Sequence, residues 1–333
     1  MKVVLASPNA DQMRGNTVTV RRIAAGIREL GAETAIISST EEAALPPGAD
    51  IVHGFHAFKF AQFLKRQADR PDPFVVTMTG TDLNHDLFDP AKRDTVIGCL
   101  EEAAGVHVFN EEARDILLGE LPALEPKVTV IGQGATAFPE TGADQPEKET
   151  GTFLFFLPAG IRKVKNVPTA IRMLRELHDR HPEVRLWLAG PVLEADEGEA
   201  VRQLIADNES WIRYFGQLPH EEMGSLYREA DVLLNTSISE GQPAAILEAM
   251  ALGVPVIVSD NQGNRSIVGH GKTGFIYKNP SQFLDYAGRL LNNYKLRQQL
   301  GGAAKSFIAR HHDPRDEAEA IMSMYRRALG PGR

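Results

Sequence analysis

The sequence is poor in two features that would simplify its classification. It has one cysteine, Cys99, among 333 residues, which excludes an internal disulfide framework and a cysteine-based zinc site. It also has no stretch close to the ~18 consecutive apolar residues that a membrane-spanning helix needs. The apolar run that follows Lys2 is too short for a signal-peptide core. We therefore expect a soluble, cytoplasmic protein with no integral membrane association.

An excess of positive charge is missing as well. The formal net charge is −8, which argues against nucleic acid as the main partner. Residues 1–150 contain 14 Lys and Arg against 23 Asp and Glu, whereas residues 151–333 contain 22 against 21. The acidic first half would be repelled by anionic lipid headgroups, while the balanced second half permits a local phosphate site.

The apolar residues that are present alternate between short β-branched runs and longer segments of helical spacing. Strands are predicted at 3–5, 34–37, 51–52, 74–78, 106–109, 128–131, 153–157, 185–189, 212–215, 232–235 and 254–258. Helices are predicted at 20–30, 167–180, 197–208, 220–229, 243–252, 281–293, 295–310 and 315–329. A polar loop at 9–17 separates the first strand from the first helix.

This alternation predicts an α/β protein with two doubly wound Rossmann-like domains facing a central cleft. The polar segment 139–151, with two prolines and two glycines, is typical of a linker. We expect an N-terminal domain at 1–140 and a C-terminal domain at 150–311, with a last helix at about 312–333 that returns to the first domain. Ligands of such sheets bind beyond the carboxyl ends of the strands.

Two glycine motifs do not have the context that their usual functions require. Gly132-x-Gly134-x-x-Ala137 follows a predicted strand but leads into the linker, whereas a dinucleotide-binding motif opens a helix. Gly271-Lys272-Thr273 has Ser266 where a phosphate-binding loop has glycine. Dinucleotide and nucleoside-triphosphate chemistry are therefore disfavoured.

One loop combines an anion site with two carboxylates. A predicted strand at 232–235 leads into a polar loop, and Pro243 suits the first turn of the helix that follows. Free N–H groups near Ala244, together with the helix dipole, favour an anion, and Gly241 permits close approach of a ligand. Glu240 and Glu248 are eight residues apart and can accept hydrogen bonds from hydroxyls. A phosphorylated polyol such as a nucleotide-sugar suits this combination.

Glu240 to Glu248 resembles the E-x7-E motif of retaining glycosyltransferases with the GT-B fold, in particular glycosyltransferase family 4. Matching segments at 159–166, 188–190, 215–218 and 273–275 follow in the family's order. The resemblance implies catalytic roles for Arg162, Lys165 and Glu240, with the two cations neutralising the leaving diphosphate. It implies a donor-binding set of Gly15, Asn16, Gly160, Gly190, Gln217, Leu218, Glu240, Gly241, Gln242, Pro243, Ala244 and Glu248.

The first domain matches the family more loosely. His56, Thr79, Gly80 and Asp82 are the acceptor-side candidates by this resemblance, although Thr79 stands where the family usually has histidine. The Gly15-Asn16 loop, the 80–84 segment and the 162–165 segment resemble a subgroup that contains glycosyltransferase 1 domain-containing proteins and bacterial selenosugar synthases.

The resemblance implies a retaining transfer of sugar from a nucleotide-sugar, by family habit a UDP-sugar, to a small soluble acceptor. No metal or cofactor is expected, and a homo-oligomer is compatible with the sequence. Two alternatives stay open: a selenosugar or thiosugar synthase that uses a nucleotide-sugar, and a nucleotide-sugar binding protein without turnover.

Overall fold

The computed structural model describes residues 1–10, 15–41, 44–135, 138 and 146–330. It forms two compact units, one made of Met1–Gly134 with His311–Arg333 and the other of Ala135–Arg310. The boundary between the units thus precedes the predicted boundary at 140–150. Positions 139–145 of the predicted linker lie outside the described residues.

The first unit contains a parallel sheet with strand order β2-β1-β3-β4-β5-β6. Its central strands are buried on both faces by helices, which explains their continuous apolar runs. The elements in chain order are β1 (Lys2–Ser7), α1 (Gly15–Glu29), β2 (Glu33–Ser38), β3 (Ile51–Phe55), α2 (Ala57–Leu64), β4 (Phe74–Thr77), a π-helical turn (Asp82–Asp86), α3 (Arg93–Glu102), β5 (Gly105–Val108), α4 (Glu111–Glu120), a 3-10 turn (Pro122–Lys127) and β6 (Val128–Val130).

The first helix begins earlier than the sequence predicts. Gly15 and Asn16 were expected in the polar loop at 9–17, but α1 already starts at Gly15. Glycine and asparagine are weak helix formers, so propensity alone predicts a helix start that is too late in the sequence. Helices α2, α3 and α4 are 8 to 10 residues long and were not predicted as elements.

The second unit repeats the architecture with strand order β12-β11-β10-β7-β8-β9, all strands parallel. Its elements are β7 (Phe153–Pro158), a 3-10 turn (Lys163–Lys165), α5 (Val167–His178), β8 (Val184–Ala189), α6 (Ala195–Ala206), β9 (Ile212–Tyr214), α7 (His220–Glu229), β10 (Val232–Asn235), α8 (Ala244–Ala251), β11 (Val256–Ser259), α9 (Gln262–Arg265), β12 (Phe275–Tyr277), α10 (Pro280–Asn292) and α11 (Tyr294–His311). The two doubly wound sheets confirm the predicted α/β class.

The last helix, α12 (Pro314–Leu329), belongs to the first unit, where it packs against α1. A Cβ on Gly26 of α1 would lie 2.7 Å from the Ala318 Cβ, so only glycine permits this spacing of the two helices. Arg22 donates to both carboxylate oxygens of Glu317 at 2.7 and 2.9 Å, and both side chains are buried. The paired charges compensate the loss of water around each ion.

A chain of buried hydrogen bonds crosses the first sheet and reaches α12. The carbonyl of Ile131 can only accept, so His107 Nε2 donates to it at 2.8 Å. His107 Nδ1 then accepts from Thr77 at 2.8 Å, Thr77 accepts from His53 Nε2 at 2.6 Å, and His53 Nδ1 accepts from Tyr325 at 2.7 Å. Both imidazoles are neutral, so each has one donor and one acceptor nitrogen. The carbonyl of Ile131 fixes the first donor, and each later donor direction follows from the one before it.

Burial lowers the pKa of His53 well below its ordinary value of 6.5, and the neighbouring His107 lowers it further. Burial also lowers the pKa of His107. Near pH 6.5 the unfolded chain therefore binds protons at these two histidines, whereas the folded protein does not. Stability from these groups is complete above that pH and is lost as the pH falls toward the folded pKa values.

We expect the free energy of unfolding to fall as the pH drops below about 6.5. At neutral pH, Tyr325→Phe should lower the free energy of unfolding by ~1–3 kcal/mol. The variant removes the donor to His53 Nδ1 and leaves this nitrogen buried without one. Urea unfolding followed by circular dichroism measures both effects. Tyr294→Phe is the control, because Tyr294 is 62% exposed. Equal midpoints for Tyr325→Phe and wild type would contradict the buried chain.

Candidate functional site

The second sheet has a topological switch point between β7 and β10. From β7 the chain moves to β8 and β9 on one side, and it later returns to place β10 on the other side. The loops that follow β7 and β10 therefore start at neighbouring strand ends, and ligands of open α/β sheets bind in a crevice at such a point. These two loops carry the predicted catalytic residues.

Two glycines allow neighbouring segments to approach closely at this edge of the sheet. Gly190 has a φ of 145°, and a Cβ there would lie 2.2 Å from the carbonyl oxygen of Ala159. A Cβ on Gly160 would lie 2.7 Å from the Leu193 Cδ1. Both predicted donor-binding glycines thus have a packing role in shaping the loop after β7.

The β7 loop is joined directly to the β10 loop. Arg162 precedes the 3-10 turn Lys163–Lys165. The Thr236 hydroxyl donates to the carbonyl of Lys165 at 2.9 Å, and the Ile238 N–H donates to the carbonyl of Val164 at 2.8 Å. These bonds bring the basic loop and the acidic loop together, as the predicted site requires.

Glu240 receives three donors on one oxygen. Lys165 Nζ lies 2.6 Å from Glu240 Oε1, the Ser237 hydroxyl 2.6 Å and the Asn235 amide 3.1 Å. Burial alone would raise the pKa of Glu240, but the Lys165 charge and these hydrogen bonds together lower it. Glu240 is therefore an anion held next to a cation, with its side chain 10% exposed.

The supporting residues around Glu240 were missed by sequence reasoning. Asn264 donates to the Asn235 side-chain oxygen at 3.1 Å, while Asn261 and Ser259 donate to the Ser237 carbonyl at 3.0 and 2.6 Å. These residues come from the end of β11 and the start of α9, far from Glu240 in the sequence. The only signal was the cluster of polar residues after the strand predicted at 254–258.

An uncapped helix start and an arginine nitrogen without a partner supply the positive side of the site. The N-cap residue of α8 is Pro243, which makes no side-chain cap, and within the described ranges no side chain is seen to cap Ala244, the first residue of the helix. Its free N–H groups and dipole favour an anion. Among the described residues, the buried Arg162 Nε has no hydrogen-bond partner. An anionic ligand would satisfy both groups.

Glu248 lies within α8 and is 6% exposed. His220 Nε2 is 2.7 Å from its Oε1, and the Tyr227 hydroxyl donates to its Oε2 at 2.7 Å. The second carboxylate of the predicted pair is thus held by two side chains of α7. Neither His220 nor Tyr227 was among the predicted site residues.

The remaining donor-side candidates lie at the edge of this cluster. Gln217 is exposed and Leu218 half-buried, directly after Gly216, which has a φ of 68°. Gln242 is buried and its amide lies 3.3 Å from the Ser266 hydroxyl. Gly241 is half-buried between Glu240 and this glutamine.

Two of the predicted residues, Gly15 and Asn16, lie in the first turn of α1 in the first unit. The acceptor-side candidates are also in this unit, after β3 and β4. Asp82 is fully buried, and its carboxylate accepts from the Thr79 N–H, the Thr79 hydroxyl and the Ala57 N–H at 2.6 to 2.7 Å. Gly80 begins the helical turn between Thr79 and Asp82. This arrangement locks the two strand ends together and leaves Asp82 little capacity for a ligand.

His56 differs from these residues because part of it is unsatisfied. It has a φ of 70°, a strained conformation for a residue with a Cβ, and its buried Nδ1 has no hydrogen-bond partner among the described residues. Its Nε2 is 3.7 Å from Asp86 Oδ2. Burial is the main cause of a lowered pKa at His56, opposed by the carboxylates of Asp82 and Asp86. Burial thus favours the neutral form of a ring whose Nδ1 has unused hydrogen-bonding capacity within the described part of the chain.

Two kinds of feature are absent from the described residues. They contain no group of three or more His, Cys, Asp or Glu placed to hold a metal ion. In the same part of the chain, no helix has the length and apolar content needed to cross a membrane.

Comparison with known proteins agrees with this architecture. Residues 139–307 match the family model described as glycosyl transferases group 1. Glycosyltransferase 1 domain-containing protein 1 of Xenopus tropicalis is 27% identical over an alignment of 314 residues, which covers 90% of this chain and 90% of the relative.

Two solved structures share the fold at 15% identity. HepE of Anabaena, crystallised with UDP and glucose, has a TM-score of 0.77 and covers 97% of this chain and 98% of its own. Sucrose-phosphate synthase of Thermosynechococcus elongatus has a TM-score of 0.76 with 98% of each chain covered.

Two parallel-sheet Rossmann-like units with these structural neighbours define a protein of the GT-B class. The match at 139–307 spans just over half of the chain and contains Arg162, Lys165, Glu240 and Glu248. The chain therefore belongs to the glycosyl transferases group 1 family and is a glycosyltransferase.

We expect Lys165→Met to destabilise the protein by about 1–3 kcal/mol, because it leaves the Glu240 charge buried without its cation. Glu240→Gln in the same chain should recover part of this loss. A double-mutant cycle in urea measures the coupling. The exposed Arg202 and Glu199 pair at 2.7 Å is the control, for which a coupling of about 0–0.5 kcal/mol is expected. Additive effects at Lys165 and Glu240 would contradict the interaction.

Proposed function

We propose that this glycosyltransferase is a retaining, family 4-like hexosyltransferase that uses a nucleotide-sugar, a UDP-sugar in the first instance, as its donor. The observation that carries the proposal is the contact of Lys165 with Glu240 at the switch point of the second sheet. It places a cation for a diphosphate beside a carboxylate for sugar hydroxyls. The start of α8 and Arg162 complete an anion site whose positive groups suit the charge of a diphosphate.

In this proposal the charge that develops on the leaving diphosphate is stabilised by Arg162 and Lys165. The Lys165 ammonium has three donors and can keep its bond to Glu240 while it contacts a phosphate oxygen. Glu240 binds hydroxyls of the transferred sugar, and Glu248 binds the ribose. Fixed donors aimed at a developing charge are often the largest catalytic contribution. No metal is assigned a role, since protein cations and the helix start supply the positive charge.

For the acceptor we propose a small soluble molecule bound by the first unit. The acidic balance of residues 1–150 disfavours an anionic lipid surface as its source. His56 is the acceptor-side residue with the strongest support, because its buried Nδ1 has no partner among the residues that the structure describes and could bind a hydroxyl. A soluble acceptor is consistent with a cytoplasmic enzyme.

A thermal-shift screen of nucleotide-sugars tests the donor. A ligand at ~100 times its Kd adds about 2.7 kcal/mol of stability, so the correct donor should raise the Tm by several degrees. UDP-sugars are expected to give the largest shift. Proton NMR of the anomeric centre in the product then tests retention. A larger shift with another base would overturn the UDP assignment, and an inverted anomer would overturn retention.

Arg162→Gln should lower kcat/KM for donor hydrolysis or transfer by at least about tenfold, because one charged donor to the leaving diphosphate is lost. Steady-state kinetics with saturating acceptor, or slow donor hydrolysis without one, give the readout. Arg202→Gln is the matched control, since Arg202 is exposed and pairs with Glu199 on the surface of α6. Unchanged kinetics for Arg162→Gln would remove this residue from the mechanism.

A further inference from the structure

The carboxylate of Glu248 is held by two donors on opposite oxygens. His220 Nε2 contacts Oε1 and the Tyr227 hydroxyl contacts Oε2, each at 2.7 Å. An ionised carboxylate only accepts, so both neighbours donate. Two donors on different oxygens fix the plane of the carboxylate as well as its position.

Both donors come from one face of α7. His220 and Tyr227 are seven residues apart, which is two helical turns, so their side chains share a face. Gly224 lies between them, and a Cβ there would be 2.7 Å from the Phe138 Cβ. The Phe138 ring fills this space, with its centroid 4.9 Å from the His220 ring and 5.2 Å from the Tyr227 ring. The two donors are therefore held by packing.

The Tyr227 hydroxyl is a permanent donor. Burial raises the pKa of Tyr227 well above its ordinary value, and the charge and hydrogen bond of Glu248 raise it further. The ring is 1% exposed and packs edge-on against Phe156 at 5.1 Å. Tyr227 therefore keeps its proton and its orientation whenever the protein is folded.

The two donors leave Glu248 with spare acceptor capacity. Each carboxylate oxygen has two lone-pair sites, and one on each oxygen is used by α7. One site on each oxygen remains, which matches two adjacent hydroxyl groups. A single donor would leave the carboxylate free to rotate and lose this match.

We propose that His220 and Tyr227 are positioning residues that orient Glu248 to accept both hydroxyls of a ribose, so that the three residues together set the preference for ribonucleotides over 2′-deoxyribonucleotides. The inference rests on the proposed function, in which Glu248 faces the ribose of the donor. It extends that function to a source of specificity in α7, a helix outside the E-x7-E segment.

Calorimetric titration of UDP and 2′-deoxy-UDP tests the inference on the full chain, with the ADP and GDP pairs run alongside. Wild type should bind the ribonucleotide at least about tenfold more tightly than its deoxy form. Tyr227→Phe and His220→Leu should each reduce this ratio by about three- to tenfold. His220→Gln should retain the ratio, because its amide nitrogen can donate from a similar position.

Tyr277→Phe is the matched control, since Tyr277 is another buried tyrosine of the second unit, packed against Phe283 on β12 and α10. It should leave the ratio unchanged, and circular dichroism checks that every variant is folded. His220 is partly exposed, so His220→Leu keeps the test available if Tyr227→Phe fails to fold.

The outcomes separate the inference from the proposed function. A wild-type ribose preference that both variants keep would overturn the positioning role and leave the donor site standing. Wild-type binding of nucleotides with no ribose preference would also overturn it without affecting the diphosphate site. Absence of binding to every nucleoside diphosphate would overturn the proposed donor site and the inference together.

Discussion

A buried carboxylate needs hydrogen-bond donors to replace the water it loses, and this constraint organises both units of the protein. Glu317 takes its donors from Arg22, which ties the last helix to the first one. Asp82 takes them from Thr79 and Ala57, which joins the ends of β3 and β4. In the second unit, Glu240 and Glu248 gather donors from three further loops and helices.

The same requirement has different consequences at different carboxylates. Asp82 is fully buried, and its donors are a hydroxyl and two backbone N–H groups that cannot be withdrawn without breaking the fold. Its function is therefore to set local structure. Glu240 and Glu248 are held by side chains from separate elements, and the two donors of Glu248 use only one lone-pair site on each of its oxygens. Glu248 is therefore organised in advance and keeps acceptor capacity, which is what a site for hydroxyls requires.

The order of strands explains where these sites are. Since β7 and β10 are neighbours in the sheet but far apart in the chain, their loops start side by side and bring Arg162, the start of α8 and Glu240 to the same edge of the sheet. Gly190 and Gly160 permit the close backbone contacts that this edge needs. The first sheet repeats the arrangement, with its switch point between β1 and β3 and the strained, unsatisfied His56 directly after β3.

The sequence by itself determined the α/β class, because alternating buried strands and amphipathic helices leave a periodic apolar pattern that needs no long-range information. It predicted α7 and β10 at their observed bounds. It also indicated Glu240, Gly241 and Pro243 as candidate site residues, since a carboxylate, a glycine and a helix-starting proline in one loop suggest a binding site without long-range information. It missed the start of α1 at Gly15, where weak helix propensity is overridden, and it missed β12, which directly follows the glycine-rich segment 269–274.

Only the tertiary structure decided which buried polar groups become hydrogen-bond partners. His220 and Glu248 are 28 residues apart, and Thr77 joins His53 to His107 across three strands. Such pairs depend on packing between elements, and no spacing along the chain encodes them. The physical reason is that burial makes an unpaired polar group costly, so the folded core selects partners by proximity in space.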